Sequence, residues 1–280
     1  MDKKTVWVTG AGGFLGGEVS RRLGDLGYNV IGTDTEVDIC DPEGLDAFVN
    51  KLRPDVIVNA AGISRFHTGL GKRIRAYEVN ALGAKNVAVA ANTVDAFLVQ
   101  ISTDDVFPMR MAEPANEFDV PHPSTPYGKS NRAGEIMVRD IIPERAIVLR
   151  TSWLYSQNGG LLKMVLDAAK AGKKIEMRTD QYASPTSVAT YVHILEKIME
   201  KETPGVVHIV GSGVCSRYEF ATKALHIAGY DPSEVLIPTS DLVTAEQVLL
   251  ESLVLEMHGI DLPKWEDDLE SFMEAEGLAK

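Results

Sequence analysis

The sequence predicts an α/β protein: a doubly wound parallel sheet with a smaller, interleaved C-terminal lobe. Three observations carry this expectation. Over the first 150 residues, short β-rich runs alternate with helical patterns. Several runs, such as VIVNAAG and FLVQIS, are continuously apolar, as suits strands covered on both faces. A glycine-rich turn, Gly10-Ala11-Gly12-Gly13-Phe14-Leu15-Gly16, lies between the first run and the first helical pattern. Alternation of β and α argues a parallel sheet with right-handed crossovers.

The elements follow in order. Strands are predicted at 5–9, 29–33, 55–59, 97–102 and 146–149, with helices at 14–26, 42–51, 73–93 and 127–140 between them. Beyond residue 150 the pattern loosens. Helices are expected at 161–171, ended by Gly172, and at 188–201. The run GVVHIV at 205–210 reads as a buried strand returning to the main sheet. A helix at 216–228 has its cap at Ser216 and its stop at Gly229. The tail from about Thr244 reads as helical and acidic. The expected organisation is a nucleotide-binding domain over 1–150 and a substrate lobe over 151–280, with a segment near 188–210 returning to the first sheet.

Composition narrows the function. The chain has 280 residues and 45% hydrophobic residues, enough for a sizeable core. Its net charge of −12 disfavours a polyphosphate partner, so no nucleic acid is expected. No apolar run is long enough to span a bilayer. MDKKTVWVTG enters a strand at once, which predicts no signal peptide and a cytoplasmic protein. Cys40 and Cys215 offer neither a disulfide framework nor metal-ligand spacing, and the six histidines are scattered, so no metal site is expected.

The glycine turn points to a dinucleotide. Gly10 permits the tight turn, Gly13 lets the backbone approach a pyrophosphate, and Gly16 lets the helix pack close to the strand. Phe14 and Leu15 open the helix whose free N–H groups and positive dipole end face the phosphates. Asp34 follows the second strand about 20 residues on, where a carboxylate meets the adenosine ribose hydroxyls. It would repel a 2′-phosphate, and no Arg or Lys follows in Thr35-Glu36-Val37-Asp38, so NAD(H) is favoured while NADP(H) stays open. Asp38 and Ile39 are candidates for the adenine. Ala60, Ala61 and Gly62 end the third strand, where ligands gather in such sheets, and Asn80 completes the cofactor-binding candidates.

The later motifs carry a family resemblance. TGAGGFLG, VNALGAKN, STDDVF, PxxxYGKS…GE, RTSWLY, DQYASPT, the SRYEFA helix and the tail GIDLPKWEDDLESF occur in that order. Together they resemble the dTDP-4-dehydrorhamnose reductases, extended short-chain dehydrogenases/reductases with a Rossmann fold. The same branch includes the regulatory β subunit of methionine adenosyltransferase. The resemblance implies hydride transfer from nicotinamide to a sugar C4 carbonyl, with Tyr127 protonating the new alkoxide and Thr103 bonding the same oxygen. It implies Trp153 stacking near the sugar, and Asp104 and Asp105 at the substrate; Asp105 stands where the family usually has Tyr.

One position departs from the pattern. Such reductases carry a lysine four residues after the tyrosine, on the same helix face, where it binds the nicotinamide ribose and lowers the phenol pKa from about 10. Here that residue is Asn131. Lys129 lies about 200° round an ideal helix from Tyr127 and is expected to face away. The loop at 65–75 carries Arg65, Lys72, Arg73 and Arg75 where relatives are more acidic; it reads as a solvated helix face or as a docking patch for a substrate phosphate or another subunit. Two readings stay open: an NAD(P)-dependent reductase of a dTDP-linked keto sugar, or a dinucleotide-binding regulatory or catalytically impaired homologue. An epimerase or dehydratase is a lesser alternative, and a homodimer an open possibility.

Overall fold

The computed structural model describes residues 3–64, 72–241 and 243–280. In chain order the first elements are β1 (Thr5–Thr9), α1 (Phe14–Asp25), β2 (Asn29–Thr33), α2 (Pro42–Leu52), β3 (Val56–Asn59), α3 (Arg73–Tyr77), a π-helical turn (Glu78–Gly83) and α4 (Ala84–Thr93). There follow β4 (Phe97–Thr103), a 3-10 turn (Asp104–Val106), α5 (Pro126–Ile141), β5 (Ala146–Thr151), β6 (Leu154–Tyr155), α6 (Gly160–Lys170), β7 (Ile175–Arg178), β8 (Gln181–Ala183), β9 (Thr186–Ser187) and α7 (Val188–Lys201). The last are β10 (Gly205–Ile209), β11 (Cys215–Ser216), α8 (Arg217–Ile227), α9 (Pro232–Val235), β12 (Leu236–Thr239), β13 (Glu246–Gln247), α10 (Leu253–Met257) and α11 (Trp265–Ala275).

The main sheet is parallel, in the order β10-β5-β4-β3-β1-β2. The α/β class and the parallel sheet are those the alternating pattern predicts. Apolar strands fill both faces: Val6, Trp7, Val8, Val56, Ile57, Val58, Leu98 and Val99 are fully buried. Trp7 anchors one face, packing on Phe48 with ring centroids 4.9 Å apart and donating its indole N–H to Thr33 Oγ1 at 2.9 Å.

Helix starts follow local chemistry. Asp41 accepts from the Gly44 N–H and precedes Pro42 at the start of α2, and Thr125 does the same for Gly128 ahead of Pro126 in α5. Ser216 and Glu219 form a reciprocal capping box on α8.

Two compact units divide the chain. One comprises Met1–Phe107, Val120–Arg150 and Val192–Val207; the other comprises Pro108–Asp119, Thr151–Tyr191 and His208–Lys280. The core of the second gathers Tyr155, Phe220, Trp265, Leu269 and Phe272, with Tyr155 edge-on to Phe272 at 5.5 Å.

Two expectations need correction. The helix predicted over 73–93 is present along its whole length but is not α throughout: a π turn occupies Glu78–Gly83. Gly134 of α5 packs against that turn so closely that an added Cβ would be 2.2 Å from the Asn80 carbonyl oxygen. An i→i+5 turn leaves no mark on apolar periodicity. The tail is not continuously helical either. Glu246–Gln247 pairs with β8, and short α10 ends at Gly259, whose φ of +67° suits glycine. Only Trp265–Ala275 forms a substantial tail helix.

Candidate active site

Strand order reverses between β1 and β3, with β2 on one side and β3, β4, β5 and β10 on the other. In such sheets the loops leaving the strands on either side of the switch diverge and open a crevice. Here the loops after β1, β2 and β3 line a cleft of about 300 Å³ that includes Gly10, Gly12, Gly13, Asp34, Asp38, Ile39, Ala60, Ala61 and Gly62.

The glycine loop is shaped by backbone contact. Gly10 has φ +64°, and a Cβ there would lie 2.7 Å from Ala61 Cα. At Gly16 a Cβ would lie 2.2 Å from the Gly10 carbonyl oxygen, so the first turn of α1 rests on the strand end. Gly13 is the N-cap of α1; it supplies no side-chain cap, and the first turn holds no acid. The start of α1, with Phe14 and Leu15, therefore keeps backbone N–H groups without a side-chain acceptor, which suits an anion. Gly12, passed over when the sequence was read, has its own job. A Cβ there would fall 2.1 Å from Asp34 Oδ2, so its bare backbone makes room for that carboxylate.

Asp34 sits at the end of β2, its N–H held by Glu36 Oε1 at 2.9 Å. Asp38 Oδ1 accepts from the Cys40 N–H at 2.9 Å, which shapes the turn carrying Ile39. A buried polar ladder ties the strand ends: Thr9 Oγ1 donates to Asn59 Oδ1 at 2.6 Å, and Asn59 Nδ2 donates to Gln100 Oε1 at 2.7 Å. Asn80 lies behind the cleft. Its Oδ1 accepts from the Ile63 N–H at 2.7 Å, while its Nδ2 donates to the Ile63 carbonyl at 3.1 Å and to Ser130 Oγ at 3.0 Å. Asn80 thus holds the strand end after Gly62 and links it to α5.

Thr103 ends β4 and is 7% exposed. Its hydroxyl donates to Asp104 Oδ1 at 3.0 Å and accepts from the Asp105 N–H at 3.2 Å. The α5 helix docks on that turn through Gly128: a Cβ there would be 1.9 Å from the Asp105 carbonyl oxygen. Tyr127 immediately precedes Gly128 and is half-buried. Asn131 turns back along the helix and donates from Nδ2 to the Tyr127 carbonyl at 3.0 Å. Lys129 is exposed and lines a separate cavity of about 590 Å³ with Arg73, Tyr77 and Glu78.

Farther along α5, Glu135 is 1% exposed and spans three elements. It accepts from Ser102 Oγ at 2.6 Å, from Arg150 Nε and Nη2 at 2.9 Å each, and from Arg132 Nη1 at 2.8 Å. Burial alone would push this carboxyl up. The hydrogen bonds and charge of Arg150, with Ser102 and Arg132, outweigh it and hold the carboxyl below the usual range. Sequence reading missed this residue, although Gly134-Glu135 follows Tyr127 at helical spacing.

In the second unit, Trp153 has a left-handed φ of +31°. Arg217 lies over its ring with Cζ 4.3 Å from the centroid, and Arg217 Nε donates to Gln181 Oε1 at 2.8 Å. Arg65 of the basic loop lies outside the described residues; Lys72, Arg73 and Arg75 are exposed. Among the described residues no three of His, Cys, Asp or Glu gather as metal ligands, and no helix is long and apolar enough to cross a membrane.

Comparison with known proteins places this geometry. Residues 4–277 match the family described as the RmlD substrate binding domain. The spore coat polysaccharide biosynthesis protein SpsK of Bacillus subtilis is 31% identical over 280 residues, covering 98% of each chain. The dTDP-4-dehydrorhamnose reductase of Salmonella typhimurium is 34% identical over 223 residues, covering 76% of this chain and 74% of that protein. The crystal structure of dTDP-4-dehydrorhamnose reductase from Bacillus anthracis, solved in complex with NADP, superposes with a TM-score of 0.90 at 32% identity, covering 98% of this chain and 99% of that one. The chain belongs to the RmlD substrate-binding-domain family and is an NAD(P)-dependent oxidoreductase of the extended short-chain dehydrogenase/reductase type.

Proposed function

We propose that the protein reduces a dTDP-linked 4-keto-6-deoxy sugar, with NADH preferred over NADPH. The observation that carries this reading is the seating of α5 through Gly128 on the turn after Thr103. It brings the element bearing a phenol against the element bearing a hydroxyl, at the same sheet edge as the glycine-lined cleft. Relatives named as dTDP-4-dehydrorhamnose reductases support the substrate class.

The cleft residues fit a dinucleotide. The uncapped start of α1 suits a pyrophosphate, and the Asp34 carboxylate beside Gly12 suits ribose hydroxyls. A 2′-phosphate would meet that carboxylate, which supports NADH. The bound nicotinamide supplies a hydride to the sugar carbonyl. Tyr127 then gives its phenolic proton to the C4 oxygen, and Thr103 redirects its hydroxyl from Asp104 to the same atom. Asp104 and Asp105 flank that hydroxyl. Free Cys40 and Cys215 fit a reducing compartment such as the cytoplasm.

Asn131 sets the expected rate. Its amide bonds the helix backbone and carries no charge, so it does not supply the Tyr127 phenol with the charge that the family resemblance gives to a lysine here. Slow turnover is the expected outcome. The test is NADH oxidation with a dTDP-4-keto-6-deoxy sugar by wild type, Asn131→Lys and Tyr127→Phe. Slow wild type, faster Asn131→Lys and inactive Tyr127→Phe support the reductase. Equal inactivity of all three, with NADH still bound, favours a regulatory dinucleotide-binding protein instead.

A further inference from the structure

We infer that Arg75 closes the adenine end of the dinucleotide cleft and that its guanidinium contacts the purine. This rests on the dinucleotide reading above. Arg75 comes from α3, far in sequence from the residues after β2, yet it lines the same cleft as Asp38, Ile39 and Val79. Its Nη1 lies 3.7 Å from Cys40 Sγ and 3.3 Å from Glu78 Oε2, so its head group rests against the Asp38–Cys40 turn. That turn is pinned by two hydrogen bonds, from the Cys40 N–H to Asp38 Oδ1 and from the Asp41 N–H to the Asp38 carbonyl, each at 2.9 Å.

The cleft therefore has two differently charged regions. By the glycine loop, the Asp34 carboxylate lies over Gly12. At the Asp38–Cys40 turn, a carboxylate and a guanidinium stand together. The carboxylates of Glu78 and Asp38 hold the Arg75 guanidinium in its charged form. A 2′-phosphate would hang from the ribose, on the Asp34 side. An adenine presents an exocyclic amine that donates, ring nitrogens that accept, and a π face. A carboxylate beside a planar guanidinium complements all three. The competing account is a surface Arg–Glu pair one helical turn apart, which would contribute nothing to binding.

Fluorescence titration of NADH and NADPH into wild type, Arg75→Leu, Arg75→Lys and Glu78→Gln tests this. NADH binding by wild type tests the dinucleotide reading separately. Arg75→Leu is expected to weaken NADH and NADPH by the same factor, about three- to tenfold. Arg75→Lys should recover little, because a point charge replaces neither a planar donor fork nor a stacking face. Glu78→Gln should leave both affinities near wild type. Unchanged affinities in Arg75→Leu would overturn the inference in favour of the surface pair. A loss confined to NADPH and restored by lysine would also overturn it, assigning Arg75 to the 2′-phosphate.

Discussion

The glycine loop and the Tyr127 helix meet the same problem, bringing a helix start hard against a strand end, and solve it alike. Gly16 sits on the Gly10 carbonyl, and Gly128 sits on the Asp105 carbonyl. They differ in what carries the chemistry. In the proposed site, at the loop it is backbone: N–H groups at the start of α1, with the Asp34 carboxylate beside Gly12. On α5 it is side chains, and there the charge is displaced. Asn131 stands at the position after one turn where the family resemblance expects a lysine, while the cations Arg132 and Arg150 are held by buried Glu135. A backbone site tolerates change around it as long as the glycines remain. A side-chain site can keep its shape and lose its rate.

The largest expected effect tests whether α5 depends on Glu135. Glu135→Gln leaves Arg150, 2% exposed, without its ionised partner and should lower stability by about 3–5 kcal/mol in chemical denaturation. The pH dependence has a definite sign. Because the folded carboxyl is held below its unfolded value of about 4.3, its contribution is complete above that pH. It is lost as pH falls through the lower, folded value. The gap between wild type and Glu135→Gln should therefore be constant near neutrality and close in acid; a gap that widens in acid would refute the ion-pair account.

Next come the two glycines. Gly16→Ala and Gly128→Ala each force a methyl against a carbonyl oxygen and should each cost about 1–3 kcal/mol of stability. Their functional signatures should separate. Gly16→Ala should weaken NADH binding. Gly128→Ala should leave NADH affinity nearly intact and cut turnover by about a hundredfold, through misplacement of Tyr127. Equal loss of NADH affinity in both would erase the distinction between the two regions.

Asp34→Ala should shift the ratio of NADH to NADPH affinity toward NADPH by about tenfold, one favourable charge contact's worth. A wild type that already binds NADPH far more tightly than NADH would remove the basis for that change. A change of similar size sharpens the contrast most. Asn131→Lys should raise turnover by about tenfold, by placing a cation beside the Tyr127 phenolate, and move the alkaline limb of the rate profile to lower pH. No change in either would mean that another cation already serves the phenol.

Much of this was legible in the sequence. Strands such as VIVN declare themselves by apolar runs, and Gly10, Gly16 and Asp34 by their spacing around a strand, because backbone sterics and short-range geometry act over a few residues. The Tyr127–Asn131 spacing is equally local, since four residues make one helical turn. Contacts between distant segments were not legible. That Gly12 makes room for Asp34, that Gly134 of α5 packs against a π turn at Asn80, and that Asn80 holds Ile63 all depend on which backbones meet. Glu135 reads as one more helix carboxylate until β4 and β5 bring Ser102 and Arg150 to it. Arg75 reads as part of a charged loop until α3 sets it beside the Asp38–Cys40 turn. Periodicity and spacing report what a residue does for its own element. Only close packing of elements far apart in the chain decides which buried carboxylate is paired, which glycine has no room for a side chain and which surface arginine lines a cleft.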